Sequence, residues 1–143
     1  MALIDFDSIP ETLVDLIYSA LEHGVASVAE SGGPLIPFLL VQNGADIRIH
    51  RFDADELVEG IAAAENFARE LEAAPEYFVI AFDGYLTVDD RKDDAIYVKG
   101  FAGDERDGYV FAQRYIPASD DNDFQPYENV AYVDNEPNPR LAG

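Results

Sequence analysis

The sequence predicts an α+β fold: an antiparallel sheet of five or six strands, in the order α-β-β-α-β-β-β with an optional last strand, and two helices packed on one face. Three observations lead there. From Tyr77 to Pro117, runs of β-branched and aromatic residues are separated by two acidic joints, the pattern of a three-stranded meander. Asn43-Gly44 divides two apolar runs as a hairpin turn would. Two further stretches repeat apolar residues at helical spacing.

The first helix is expected to open on a capping box, Ser8-Ile9-Pro10-Glu11, with the proline in a first turn where its missing N–H costs nothing. Leu13, Leu16, Ile17, Ala20, Leu21, Gly24 and Val28 form one buried stripe, and Ser31-Gly32-Gly33-Pro34 supplies the break. In the hairpin that follows, a type I′ turn is expected at Asn43-Gly44. The first arm is apolar on both faces and reads as a central strand; on the second, Ile47 and Ile49 alternate with Arg48 and His50. A second helix is expected from Asp53, with Asp53 and Glu56 at capping-box spacing and Leu57, Ile61, Ala64, Ala68 and Leu71 as a narrow stripe. Its alanines suit close approach to a sheet, and Pro75 ends it.

In the meander, Phe78, Ile80, Phe82, Leu86 and Val88 share one face, and Asp83-Gly84 reads as a β-bulge or bend. Tyr77, Val79, Ala81 and Tyr85 lie opposite, with Tyr97, Tyr109, Phe111 and Tyr115 adding aromatic surface. Left uncovered, such a face would be a dimer or partner surface. After Pro117 turn formers dominate, with one short strand expected at 129–133. The domain is expected to span 1–135, with 136–143 as a flexible tail.

A chain of 143 residues is sized for one core, and an apolar fraction of 48% is that of a globular protein. Its charge is lopsided: 29 acidic against 9 basic residues give a formal net charge of −20. Such a surface repels phosphate backbones and anionic lipid, so neither nucleic acid nor membrane is expected as partner; it suits attraction to a basic protein, but more often serves solubility or adaptation to salt. The absence of cysteine excludes disulfides, thiolate nucleophiles and Cys-ligated metals. With no secretory signal and no long apolar run, a cytoplasmic location is expected.

No motif of known chemistry survives inspection. His23 and His50 stand outside any HExxH pattern and read as surface or packing residues. Asp120, Asp121 and Asp123 have the composition of a calcium loop but lack its glycine and its distant glutamate. No serine sits in a nucleophile elbow, and no glycine-rich loop cradles phosphate, so no cofactor and no metal is expected. Asp83 remains, a carboxylate inside an apolar strand, with Arg48, His50 and Arg114 on other strands as groups that could approach it. In size and charge the chain is similar to small bacterial secretion chaperones and toxin-immunity proteins, but it shares no motif with them, so no residue carries over. The expectation is a non-enzymatic protein-interaction module, homodimeric through its sheet. The alternatives are a small enzyme or ligand binder with a pocket near Asp83, and an acidic DNA mimic.

Overall fold

The apolar runs of the meander become the centre of one antiparallel sheet in the computed structural model, which describes residues 8–103 and 105–141. The elements are α1 (Glu11–Ser31), β1 (Phe38–Asn43), β2 (Asp46–Arg51), α2 (Leu57–Glu70), β3 (Tyr77–Val88), β4 (Arg91–Ala102), β5 (Asp107–Ile116), β6 (Gln125–Pro126) and β7 (Ala131–Pro137). The sheet order is β2-β1-β3-β4-β5-β6, with β7 also pairing β5. Every pairing is antiparallel, as hairpin connections require. The expected α+β class therefore holds.

The helices divide between the two faces, where one shared face was expected. α1 lays Leu13, Leu16, Ile17 and Ala20 on Leu40, Val79, Ala81, Ile96 and Val98. α2 lays Ala64 and Ala68 on Leu39, Val41, Phe78, Ile80 and Phe101. Neighbouring residues of a strand point to opposite faces, so the two clusters lie on either side of β1 and β3. The reason is compositional: Phe38 to Val41 and Phe78 to Ala81 are apolar at every position and buried on both sides. One layer of helices would leave half of that surface in water.

Close approach explains the small residues at the helix contacts. A Cβ on Gly100 would stand 2.7 Å from the Ile17 side chain, so α1 can lie on β4 only over a glycine. The aromatic face expected to be free is the face under α1. Val79, Ala81, Phe111 and Tyr115 are buried there, with Phe124, Val130 and Tyr132 packed at the border, while Tyr97 belongs to the opposite face. A dimer across that face is thereby ruled out as drawn.

Three local expectations change at the helix starts and the hairpin. α1 starts at Glu11 with Pro10 at the N-cap position and no side-chain cap bond, so Ser8 and Glu11 do not form a capping box. α2 starts at Leu57, four residues later than expected, because Phe52 donates its N–H to Pro37 O and packs on Phe67, which keeps the chain extended. The hairpin loop is Gly44-Ala45, closed by Asn43 opposite Asp46. Gly44 has φ 58 and Ala45 has no positive φ, the signature of type II′ and not I′. Asn43 is held in the strand because its side chain accepts the Glu76 N–H, while the Glu76 carboxylate accepts the Gly44 N–H.

The bulge expected at Asp83-Gly84 does not exist: β3 and β4 pair without a break from Tyr77 opposite Ala102 to Val88 opposite Arg91. Gly84 serves the neighbouring strand. A Cβ there would press at 3.3 Å on the Tyr97 ring, which crosses the glycine to donate its hydroxyl to Tyr85 O and stacks at 3° on Phe82. The irregularity lies between β5 and β7, at Val110/Phe111.

The tail expected at 136–143 is structured as far as it is described. β7 runs to Pro137, and Asn138 is fully buried. The Asn138 amide donates to Ala102 O and Glu105 O, closing the β4–β5 connection. Arg140 donates to Ala68 O and Leu71 O, two carbonyls that α2 leaves unpaired at its C-terminus. Residues 142–143 lie outside the described residues.

Candidate functional site

Where β1 has not yet begun, β3 lacks a strand neighbour on that side, and Asp83 fills the gap. Its Oδ2 accepts the Leu35 N–H at 2.9 Å and its Oδ1 the Gly84 N–H at 3.0 Å. The Tyr115 hydroxyl donates across the sheet to both oxygens, at 2.8 and 3.0 Å. Asp83 is thus buried, 6% exposed, and fully occupied. The Gly84 contact is local, but the other two reach 48 and 32 residues along the chain.

The sequence's other candidates do not come to Asp83. Arg48 stands opposite Val41, His50 opposite Leu39 and Arg114 opposite Ala95, which places all three on the α2 face. Each has its own partner. Arg48 pairs with Asp46 at 3.0 Å, and the His50 ring packs on Phe67 at 4.5 Å. Arg114 faces Asp93 at 3.9 Å and lies 5.0 Å from the Tyr127 ring. His23 sits edge-on to Phe38 with Arg51 at 3.3 Å. The sheet itself separates Arg48, His50 and Arg114 from Asp83, so they form no acid–base constellation with it.

What Asp83 does border is a cleft of about 270 Å³ lined by Gly32-Gly33-Pro34, Leu57, Asp83 to Tyr85, Asp94, Tyr115 and Pro117. Asp94 stands opposite both Tyr85 and Tyr115 in the ladder, so it shares the Asp83 face. Its carboxyl is held above the usual aspartate value of 3.8, first by burial and then by the charges of Asp83 and Asp93. The Tyr115 hydroxyl is likewise pushed far up, by burial first and then by Asp83, and it stays a neutral donor. Tyr85 is 61% exposed with Lys92 Nζ 4.4 Å above its ring, and the rim carries Leu57 at 38% exposure, next to Val58 at 67%. The cleft therefore combines excess negative charge, an exposed π-face and apolar edges.

Comparison with protein-family models, with curated proteins and with solved structures returned no match. Among the described residues no three His, Asp or Glu side chains are placed to hold a metal ion, and no helix is long and apolar enough to cross a membrane.

Sequence reasoning found Asp83 but missed Asp94, Tyr85 and Tyr115 as its neighbours. The missing signal was the turn. Once the two-residue loop is fixed at Asp89-Asp90, both with positive φ, counting back sets Asp94 opposite Tyr85.

The raised Asp94 carboxyl has a consequence for stability. Its folded-state value exceeds the unfolded one, so its contribution is fully present below about pH 3.8 and is lost as pH rises through the folded value. Asp94→Asn is therefore expected to be more stable than the parent at neutral pH, with the advantage shrinking toward acid. Paired urea titrations across that range check it, and an advantage that grows in acid would contradict the assignment.

Proposed function

We propose that this chain is a non-enzymatic binding protein that receives a lysine or arginine side chain of a basic protein partner in the cleft between Asp83 and Asp94. The observation that carries the proposal is the cleft's excess negative charge: Asp94 lies partly buried beside Asp83 and Asp93, and burial together with those two charges raises its proton affinity although Lys92 opposes them. A cation entering there relieves that repulsion, and Tyr85, 61% exposed and already stacked by Lys92, offers it an aromatic edge to the cleft. Leu57 and Val58 offer apolar contact at the rim, and the net charge of −20 steers a cationic partner toward the surface.

Catalysis has less support. Asp83 has both oxygens occupied by donors, and Tyr115 is held as a donor with its proton on, so neither is poised to accept one. The DNA-mimic reading has no observation of its own, since the acids fall in separate turns such as 89–90, 105–107 and 120–123.

Nuclear magnetic resonance titration with an oligolysine peptide tests the proposal. Amide shifts are expected at Gly32, Gly33, Tyr85 and Asp94, weakening as salt is raised, with an oligoglutamate peptide giving none. Shifts scattered over the acidic turns, with none at those four residues, would overturn it.

A further inference from the structure

The sheet has two edges, and they differ in a way that bears on assembly. The β7 edge is guarded: it carries Asp134, Glu136 and Pro137 and an irregular register, and the short β6 beside it contains Pro126. The β2 edge has neither the proline nor the irregular register. β2 pairs β1 over six residues in unbroken register, contains no proline or glycine, and has no partner on its outer side among the described residues. On the α1 face of this edge Ile47 is 51% exposed and Ile49 36%, and Ile36 nearby is 43% exposed.

Charge singles out the same edge. Between Pro34 and Phe52 the only acid is Asp46, set against Arg48, Arg51 and His50, in a chain whose net charge is −20. Two copies repel each other least if they meet there.

We propose that β2 pairs antiparallel with β2 of a second copy, joining two sheets into one across a two-fold axis at Arg48. The hairpin geometry fixes which registers are open. A two-residue loop makes Asn43 and Asp46 a hydrogen-bonded pair, and alternation then turns the backbone groups of Ile47, Ile49 and Arg51 outward. Only registers that pair outward residues with outward residues form a ladder. Centring on Ile49 would set Arg48 against His50 and Ile47 against Arg51 of the second copy, with no gain of charge pairing. Centring on Arg48 sets Ile47 against Ile49 twice on one face and Asp46 against His50 twice on the other. The two Arg48 side chains meet at the axis, each already neutralised by its own Asp46 at 3.0 Å. This interface uses none of the residues that line the Asp83–Asp94 cleft, so it stands or falls separately from the binding role.

The full-length chain tests it in two ways. Sedimentation equilibrium is expected to show a dimer that Ile47→Lys weakens by about tenfold or more, because a lysine then faces an isoleucine at two places. The chain has no cysteine, so Arg48→Cys gives one thiol at the axis, where facing Cα atoms of a non-hydrogen-bonded pair lie about 4.5 Å apart. Copper–phenanthroline oxidation is expected to link that variant covalently into dimers while leaving Asp134→Cys, on the other edge, without a covalent link. A monomer at every concentration, a dimer indifferent to Ile47→Lys, or linkage through residue 134 in preference to 48 would each overturn the proposal.

Discussion

Asp83→Ala is expected to lower the unfolding free energy by about 3 kcal/mol, because three donors lose an acceptor that is itself only 6% exposed. The Leu35 N–H, the Gly84 N–H and the Tyr115 hydroxyl would all be stranded, and the connection from α1 to β1 would lose its tie to the sheet. Tyr115→Phe removes one donor and leaves the two amides paired, so its cost through this bond is about 1 kcal/mol. Urea denaturation of the two variants, with the slope unchanged, measures both. A loss below about 1 kcal/mol for Asp83→Ala would show that the carboxylate does not hold the connection.

Asn138→Ala is the second substitution of this size, with an expected loss of about 3 kcal/mol. The side chain is fully buried and engaged at both ends: its amide reaches Ala102 O and Glu105 O, and its oxygen accepts the Arg140 N–H. Alanine would leave two carbonyls and one amide without partners and a cavity between β7 and the β4–β5 connection. Because Arg140 caps α2 through the same turn, amide exchange is expected to accelerate at the C-terminal end of α2 as well as around 102–106. Faster exchange confined to residues after 138 would mean that this segment is not coupled to the body of the fold.

The two substitutions mark the boundary of what the chain discloses on its own. The meander was legible because alternation and turn composition are local, and the α1 stripe from Leu13 to Val28 was legible for the same reason. The division of the helices between faces was not read out, although its cause was visible in β1, whose four apolar residues in a row demand cover on both sides. Asp83 stood out as a charge in an apolar run, yet its partners Leu35 and Tyr115 depend on register over 48 and 32 residues. Arg48, His50 and Arg114 were plausible by type and excluded by parity alone, since one residue's shift along a strand changes the face. The segment from Glu136 onward has a turn-former composition that resembles disorder; what orders it is pairing with β5, the Arg140 bonds to α2 and an asparagine whose side chain meets three backbone groups, all of them long-range or register-dependent.

The central claim, a cleft whose excess negative charge awaits a cation, is tested most directly by calorimetry of oligolysine binding near pH 5 in buffers of differing ionisation enthalpy. The carboxyl of Asp94 is raised in the free protein by burial and by its acidic neighbours, and a bound ammonium lowers it again. Binding is therefore expected to release protons and to tighten as pH rises through the Asp94 value, and Asp94→Asn is expected to abolish the proton release and weaken binding by about tenfold. Binding that takes up protons, or that releases them equally in Asp94→Asn, would contradict the account.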